Sequence, residues 1–381
     1  MLGAGVAGLA VARALALRGA VVTVLEQADA LRAVGAGLQV SPNGAVVLRA
    51  LGLGAALEAV SQRAVAVELR DGLAGGLVTR LEVGPRPYHF VHRAELIGLL
   101  AEGAREAGVE MRLLNRVVGV DLAGDAPVLA FEDGRTEEAA LLIGADGLHS
   151  VVRTALNGRV APFFTGQVAW RAVVPGDRGP AVAEVHMGPG RHVVSYPLRG
   201  GTLRNIVAVG ERRAWAEESW SLRDDPMGLQ VAFKEFSPRV RGWLDRVEDV
   251  WLWGLFRHPV ARHWGRALPS GAVALVGDAA HPTLPFLAQG ANMALEDAWV
   301  LAEALAGHDS LAAGLLAYQA ARAARVSRIV DAASRNARAY HLGGVARTMA
   351  HAGLRLGGWL APGMALQRFD WLYGHDVTRG G

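Results

Sequence analysis

The chain has 381 residues, of which 51% are hydrophobic and 20% charged, so it is too long for one simple core and too apolar for a disordered chain. It contains no cysteine, which excludes disulfides, a thiol nucleophile and a cysteine-ligated metal. The net charge of +3 comes from arginines spread along the chain, with Lys234 the only lysine, and this excludes a basic stripe for nucleic acid. We expect two domains, a cytoplasmic location and no stable membrane insertion, because no uncharged apolar run could cross a bilayer.

The first predicted element is a glycine-rich turn, Gly3-Ala4-Gly5-Val6-Ala7-Gly8, followed by a helix of small residues and a strand that ends at Glu26. Gly3 permits a tight turn, Gly5 lets the backbone approach a pyrophosphate, and Gly8 lets helix and strand pack closely. Glu26 lies where an acid accepts a ribose hydroxyl. The pattern predicts a dinucleotide site. The residues before the turn are too few for the first strand of such a fold, so we expect upstream residues to be missing from this numbering.

The next segment, residues 31–53, is a glycine-rich passage that leads into a helix. Arg32 is free to reach phosphates or to remain a solvated surface charge. Gln39 would lie in the loop between the expected ligand and that helix. Alternating residues at 63–88 predict antiparallel strands. A helix is expected to begin in the run Val91-His92-Arg93-Ala94-Glu95-Leu96 and to continue to about residue 107.

A second turn of strand-to-acid type follows residues 140–143, a predicted buried strand, and contains Asp146. Beyond it, residues 163–257 predict a sheet-based second domain. His192 and Tyr196 are four apart on a predicted strand, so they share one face. Each is a candidate ligand contact or a satisfied core residue.

The third such turn lies in residues 273–298. Residues 273–276 predict a buried strand, so Asp278 lies at its carboxyl end, where open α/β sheets bind ligands. Pro282 and Pro285 break the following loop, and Gln289 to Asn292 open a helix with free N–H groups. An ordinary turn with Asn292 as a helix cap is the alternative, and His281 is more typical of a structural residue. Residues 297–340 predict one or two long helices, and a helical tail follows.

Together, GAGVAG, GADGLHSVVR and GDAAHPTLPFLAQGANMALEDA resemble the flavoprotein monooxygenases related to para-hydroxybenzoate hydroxylase. VAWRAVVP, MGPGRHVVSYPLRGG and FDWLYGHD are similar to the branch that contains salicylate hydroxylase, 3-hydroxybenzoate 6-hydroxylase and 6-hydroxynicotinate 3-monooxygenase. The resemblance implies an α/β fold with a Rossmann-like FAD-binding domain of glutathione-reductase type, an inserted mixed β-sheet substrate domain and a helical C-terminal tail. The corresponding ranges are 1–70, 88–157 and 265–340 for FAD, 71–87 and 158–264 for substrate, and 341–381 for the tail.

The same resemblance implies a cofactor, FAD, and assigns residues to it. The cofactor-binding set is Gly3, Gly5, Gly8, Glu26, Arg32, Gly37, Gln39, Arg93, Asp146, Asp278, Pro285, Gly290, Ala291 and Asn292, with the last four at the isoalloxazine ring. The implied reaction uses NADH or NADPH as a transient co-substrate and O₂, through a flavin C4a-hydroperoxide, to hydroxylate a small aromatic acid. His192 and Tyr196 would take the substrate's hydroxyl, and Gln289 would reach the substrate side.

Several features leave other functions open. Gln39 stands where the hydroxynicotinate enzyme type carries a histidine, which argues against that substrate. Trp251 and Trp253 faintly resemble a halogenase pair, but the lysine that halogenases need has no counterpart here. A non-catalytic FAD-binding sensor and a membrane-associated quinone-ring hydroxylase are further alternatives. No metal site is expected, and the protein is expected to be a monomer or a homodimer.

Overall fold

The structure of the protein is a computed structural model that describes residues 1–31, 36–213, 222–360 and 368–379. The helices are α1 (Val6–Ala16), α2 (Pro42–Ala50), α3 (Gly54–Val60), α4 (Arg93–Glu106), α5 (Val151–Asn157), α6 (Pro226–Ala232), α7 (Pro238–Leu244), α8 (Gly290–Ala306), α9 (Leu311–Tyr340), α10 (Gly344–Leu360) and α11 (Asp370–Tyr373). The strands are β1 (Thr23–Leu25), β2 (Gly37–Val40), β3 (Ser61–Arg63), β4 (Ala66–Asp71), β5 (Leu77–Glu82), β6 (His89–His92), β7 (Glu110–Arg112), β8 (Val117–Asp121), β9 (Val128–Phe131), β10 (Thr136–Glu138), β11 (Leu141–Gly144), β12 (Phe163–Pro175), β13 (Val182–Gly188), β14 (Arg191–Leu198), β15 (Leu203–Glu211), β16 (Arg223–Asp224), β17 (Val250–Arg257), β18 (Gly265–Ala267) and β19 (Ala272–Leu275).

The N-terminal residues complete a mostly parallel sheet. The Leu2 N–H donates to the Ile143 carbonyl at 2.9 Å, and the Gly3 N–H donates to the Leu25 carbonyl at 2.8 Å. The strand order is therefore β7, β1, residues 1–3, β11, β19 and β18, with only β18 antiparallel. The carboxyl ends of β1, β11 and β19 meet at one edge of this sheet, which is the edge where such sheets bind ligands.

Small residues hold α1 tightly against this sheet. A Cβ on Gly8 would stand 1.9 Å from the Gly3 carbonyl oxygen and 3.3 Å from the Ala145 Cβ. The helix is fully buried along Leu9 to Ala12 and packs between α4 and α8. This close approach fixes the N-terminus of α1 at the ligand-binding edge.

The second large element is an eight-stranded sheet in the order β16, β17, β12, β15, β14, β13, β4 and β5. Strands β13 and β4 pair in parallel, and the other neighbours are antiparallel. Because strand residues alternate between faces, Val193 packs with α6 and α7 around Phe233 and Trp243, whereas His192 faces the opposite side. That opposite side closes over the edge of the parallel sheet.

A buried ionic cluster joins α8 to α9. Arg322 on α9 hydrogen-bonds to Asp297 at 2.9 Å and also contacts Glu296, and all three side chains are at most 1% exposed. Burial by itself would raise the pKa of Asp297, but the adjacent His281 and Arg322 lower it to about 2. Arg325 adds a second cation at 2.7 Å from Glu296. The cluster holds α8 against α9, so the N-terminus of α8 has a defined position.

Helix α10 covers the eight-stranded sheet on the side of β5. On α10, Arg347 lies 3.1 Å and His351 3.3 Å from the Asp71 carboxylate at the end of β4. None of the helices within the described ranges combines the length and hydropathy that crossing a membrane requires. The expected α/β fold, with a parallel sheet, a mixed sheet and a helical tail, is confirmed.

Candidate active site

A cavity of about 1030 Å³ lies between the carboxyl edge of the parallel sheet and the eight-stranded sheet. Its wall includes many of the residues singled out from the sequence, namely Gly5, Gly37, Gln39, Arg93, His192, Tyr196, Asp278, Pro285, Gln289, Gly290 and Ala291. These residues come from segments far apart in the chain, so the fold brings together what the sequence patterns suggested separately.

The glycine turn forms one end of the cavity. Gly3 has a φ of +101°, and a Cβ there would stand 2.5 Å from the Ala145 carbonyl oxygen, so only glycine fits. By contrast, apart from its two chain neighbours, no atom of the described residues lies within 4 Å of a Cβ on Gly5. Gly5 caps α1, and the first amides of that helix have no intrahelical acceptor. The turn therefore presents backbone donors with room for an anion.

Glu26 follows β1 and reinforces this turn. Its carboxylate accepts the Ala4 N–H at 2.8 Å and the Ala28 N–H at 2.9 Å. A carboxylate has about four acceptor positions, so two remain for a hydroxyl. Glu26 does not itself line the cavity but lies beside the Gly5 turn that does.

Asp278 follows β19 and faces the cavity, although protein surrounds it. This burial raises the pKa of Asp278, against the opposing effects of His281 and Arg93. Gly277 has a φ of +59°, and a Cβ there would stand 2.8 Å from the Ala7 Cβ. The turn therefore brings the acid close to the start of α1.

The N-terminus of α8 forms the central wall. A 3₁₀ turn at Pro285–Leu287 is followed by Ala288 in the left-handed region, with a φ of +52°, and then by the helix. Gly290 and Ala291 line the cavity, and their N–H groups belong to the first turn, which lacks intrahelical acceptors. These donors and the helix dipole favour negative charge at this point.

Two predicted contact residues use their side chains elsewhere. The Gln289 amide donates to the Ser41 hydroxyl at 3.0 Å and accepts from Asn43 at 3.0 Å. Asn292 donates to the Gln39 carbonyl at 3.0 Å and accepts from the Ser41 N–H at 3.0 Å. Both amides thus join α8 to the segment from β2 to α2. Gln289 reaches the cavity wall, whereas Asn292 is fully buried behind it.

Asp146 is engaged with a helix rather than with the cavity. Its carboxylate accepts from the Ser150 hydroxyl at 2.5 Å and from the Val151 N–H at 2.8 Å, at the start of α5. Burial raises the pKa of Asp146, and these hydrogen bonds oppose the rise. The neighbouring Gly147 and Leu148 line the cavity instead. Arg32, for which the sequence left open a phosphate contact or a solvated surface charge, lies outside the described residues.

On the side of the large sheet, β14 contributes His192 and Tyr196. His192 is 1% exposed, and its Nδ1 lies 2.8 Å from the His341 Nε2. Burial lowers the pKa of His192 well below its usual value, and His341 adds to this effect. Burial raises the pKa of Tyr196, whose ring stacks on Phe90 with centroids 5.0 Å apart. At neutral pH the cavity therefore presents a neutral imidazole and a protonated phenol.

Close packing holds Tyr196 in place. A Cβ on Gly37 would stand 2.7 Å from the Tyr196 ring, so only glycine fits at the start of β2. Gln39, two residues on, accepts from the Tyr88 hydroxyl at 2.6 Å. Both positions therefore shape the cavity wall beside Tyr196.

Arg171, on β12, is a cavity residue to which the sequence reasoning assigned no role. Its guanidinium carbon lies 4.6 Å from the centroid of the Trp253 ring, and its Nε has no hydrogen-bond partner within the described part of the chain. Burial lowers the pKa of Arg171 to about 10, so the cation persists at neutral pH. Its place in the motif VAWRAVVP was the available signal, but exposure to the cavity depends on the fold.

These features fit FAD. The Gly5 turn offers donors to a pyrophosphate, Glu26 and Asp278 offer acceptors to hydroxyl groups, and the α8 N-terminus offers donors to an electron-rich ring. A volume of about 1030 Å³ exceeds the 300–1,000 Å³ that pockets for single small ligands commonly have. The cavity therefore lies at the upper end of the size range for ligand pockets, as a site for a large cofactor requires.

The fold and this cavity define a flavoprotein of the FAD-dependent monooxygenase class. Residues 1–333 match the family model described as FAD binding domain, and the chain belongs to that family. It is 36% identical over 355 residues to 3-amino-4-hydroxybenzoate 2-monooxygenase PtmB3 of Streptomyces platensis. The alignment covers 90% of this chain and 88% of that relative.

Two further relatives agree with this assignment. The chain is 35% identical over 398 residues to 3-hydroxybenzoate 6-hydroxylase of Polaromonas naphthalenivorans strain CJ2. That alignment covers 98% of this chain and 95% of the relative. A solved salicylate hydroxylase in complex with its substrate superimposes with a TM-score of 0.81 at 25% identity, over 99% of this chain and 95% of that one. The resemblance seen in the sequence is confirmed, and the protein is an FAD-dependent monooxygenase.

Proposed function

We propose that the protein hydroxylates a small phenolic acid of the hydroxybenzoate type, using O₂ and either NADH or NADPH. The observation that carries the proposal is the convergence of a cation, a neutral imidazole and a phenol in one buried cavity, contributed by Arg171, His192 and Tyr196. The names of the relatives, which act on aminohydroxybenzoate and hydroxybenzoate, support the same class of substrate.

The FAD would lie along the edge of the parallel sheet. Its pyrophosphate would meet the amides at Gly5, its hydroxyl groups Glu26 and Asp278, and its isoalloxazine ring the N–H groups of Gly290 and Ala291. When bound, FAD supplies the redox chemistry that lets one oxygen atom of O₂ be transferred to an aromatic ring. The positive end of α8 would stabilise negative charge on the reduced ring.

The substrate would lie between this ring and the large sheet. Arg171 attracts its carboxylate, since a buried cation without a protein hydrogen bond at Nε gains from a charge-assisted hydrogen bond. Neutral His192 accepts the proton of the phenol, which makes the aromatic ring more electron-rich at the carbon to be hydroxylated. Tyr196 keeps its proton and donates a hydrogen bond to the same substrate oxygen.

Apolar side chains exclude water from this region. Phe286 is 7% exposed, Leu284 9% and Trp253 4%, and together with Tyr340 they form the wall beside His192. A dry cavity strengthens the electrostatic interactions within it and protects reactive intermediates from hydrolysis.

The test is oxidation of NADH and of NADPH by the FAD-loaded protein, with and without a panel of hydroxybenzoates and aminohydroxybenzoates, and product identification by mass. We expect at least one phenolic acid to stimulate oxidation and to gain one oxygen atom. Bound FAD without stimulation by any phenol would favour a ligand sensor, and stimulation by isoprenoid quinone precursors alone would favour the quinone-ring hydroxylase.

A further inference from the structure

A line of three side chains leads from the cavity to the protein surface. The His192 Nδ1 lies 2.8 Å from the His341 Nε2, and the His341 Nδ1 lies 3.0 Å from the Glu211 Oε1. The two histidines are 1% and 8% exposed, whereas 58% of the Glu211 side chain is exposed. The line thus begins at a buried cavity residue and ends at an exposed side chain.

The hydrogen bonds fix where each proton lies. An ionised carboxylate only accepts hydrogen bonds, so the His341 Nδ1 carries a proton and donates it to Glu211. The neutral His341 Nε2 is then an acceptor, so the His192 Nδ1 must donate to it. The remaining nitrogen, His192 Nε2, is left with a lone pair. It has no hydrogen-bond partner among the described residues, and His192 lines the cavity.

The neighbouring groups are compatible with this assignment. Burial lowers the pKa of both histidines, and Arg191 adds to the effect on His341 while Glu211 opposes it. Both imidazoles are therefore neutral at pH 7, as the assignment requires. The Gln167 amide nitrogen is 3.5 Å from the His341 Nδ1, which is too long to compete with the 3.0 Å contact to Glu211.

We propose that Glu211 and His341 are positioning residues that hold His192 with an unprotonated Nε2 toward the substrate and connect that atom to solvent by proton transfer. This inference rests on the proposed phenol hydroxylation. The phenol proton moves to His192 Nε2, the His192 Nδ1 proton moves to His341 Nε2, and the His341 Nδ1 proton moves to Glu211 and on to water. The reverse passage returns a proton to the product oxygen and restores both tautomers.

The tautomers can be measured without turnover. In FAD-loaded protein with ¹⁵N-labelled histidine, long-range ¹H–¹⁵N correlations distinguish the Nδ1–H form from the Nε2–H form, and His192→Gln and His341→Gln assign the two signals. We expect both histidines in the Nδ1–H form at pH 7. A His192 in the Nε2–H form, or one carrying both protons, would overturn the proposal. If the protein hydroxylates no phenol although His192 is in the expected tautomer, only the proposed function is contradicted.

Variants at the surface end test the role of Glu211. Glu211→Ala removes the acceptor, so we expect the Nδ1–H preference of both histidines to weaken. The pH midpoint for ionisation of bound 4-nitrophenol, read by its absorbance, should also fall by about one unit, because proton transfer costs the hydrogen bond from His341 to the charged Glu211 and the variant has no such bond to lose. Glu132→Ala removes a remote exposed carboxylate, which pairs with Arg116, and should change neither. Equal behaviour of the two variants would rule out a role for Glu211.

Discussion

At the scale of single residues, burial has different consequences for the two nitrogen bases of the cavity. It lowers the pKa of His192 well below its usual value and that of Arg171 to about 10. Around pH 7 the imidazole is therefore neutral and the guanidinium charged. The imidazole can accept a proton and the guanidinium can bind an anion, so we expect replacement of His192 and replacement of Arg171 to have different kinetic effects.

His192→Gln keeps a polar side chain of similar size but removes the base. We expect kcat for phenol hydroxylation to fall by roughly 10²–10⁴-fold, the usual contribution of general-base catalysis. Product formation measured by chromatography checks this. His263→Gln, at an exposed position, is the matched control, and an unchanged kcat in His192→Gln would refute the assignment of the base.

Arg171→Met keeps the length of the side chain and removes its charge. We expect KM for a hydroxybenzoate to rise about tenfold to a hundredfold, the equivalent of a charge-assisted hydrogen bond of ~1.5–3 kcal/mol. The corresponding phenol without a carboxylate should show little change in KM. Equal effects on both substrates would mean that Arg171 serves the cofactor or the fold rather than the carboxylate.

The pH dependence follows from the direction of the His192 shift. A base acts only when unprotonated, so activity is lost as pH falls through its pKa, which lies below the ordinary 6.5. We expect the acid limb of kcat/KM, measured with a phenol that does not titrate in this range, to have its midpoint below pH 6.5. A midpoint above 6.5 would contradict the account of His192 as a base desolvated by the cavity.

At the scale of secondary-structure elements, two helix N-termini are directed toward the cavity, and each depends on a different device. The glycine turn lets α1 approach β11, because Gly3 and Gly8 have no room for a side chain. The ionic cluster between Glu296, Asp297 and Arg322 fixes α8 from its buried side. The position of α1 therefore depends on steric fit, and the position of α8 depends on electrostatic interactions.

Gly5→Ala separates cofactor binding from folding. Gly5 has a φ of −80°, which alanine adopts readily, and the described residues leave space for its Cβ. We therefore expect an unchanged unfolding midpoint, but a Kd for FAD raised by about tenfold or more, since the added methyl would meet the pyrophosphate. Fluorescence titration of FAD measures the effect, with Gly76→Ala as control, and unchanged affinity would contradict the placement of the pyrophosphate.

Arg322→Met tests the ionic cluster. Removing one partner leaves buried carboxylates without compensation, so we expect the free energy of unfolding to fall by about 3–5 kcal/mol. Urea unfolding followed by circular dichroism gives the value. The control is Arg105→Met, an exposed residue paired with Glu102 in the same helix, which should change stability by at most ~0.5 kcal/mol. Similar losses in both variants would show that the cluster contributes little.

At the scale of the whole molecule, local patterns predicted the parallel sheet, the turns at its edge and the α/β class, because each depends on residues adjacent in sequence. Such local patterns cannot predict contacts between segments that are distant in sequence. The pairing of His192 with His341 joins residues 149 apart, and the contact of Asn43 with Gln289 joins residues 246 apart. For the same reason, the structural roles of the Gln289 and Asn292 side chains and the exposure of Arg171 to the cavity could not be inferred. The proposed domain boundaries and the assignment of site residues remain predictions.

The central claim is that flavin and phenolic substrate share one cavity, with His192, Tyr196 and Arg171 at the substrate end. The most direct measurement is a titration of 3-hydroxybenzoate and 3-amino-4-hydroxybenzoate into the FAD-loaded protein, followed by the visible absorbance of the flavin. The account predicts a saturable change in the flavin spectrum with at least one ligand, at concentrations that rise in Arg171→Met. A flavin spectrum that no phenolic acid alters, in protein that binds FAD fully, would contradict it.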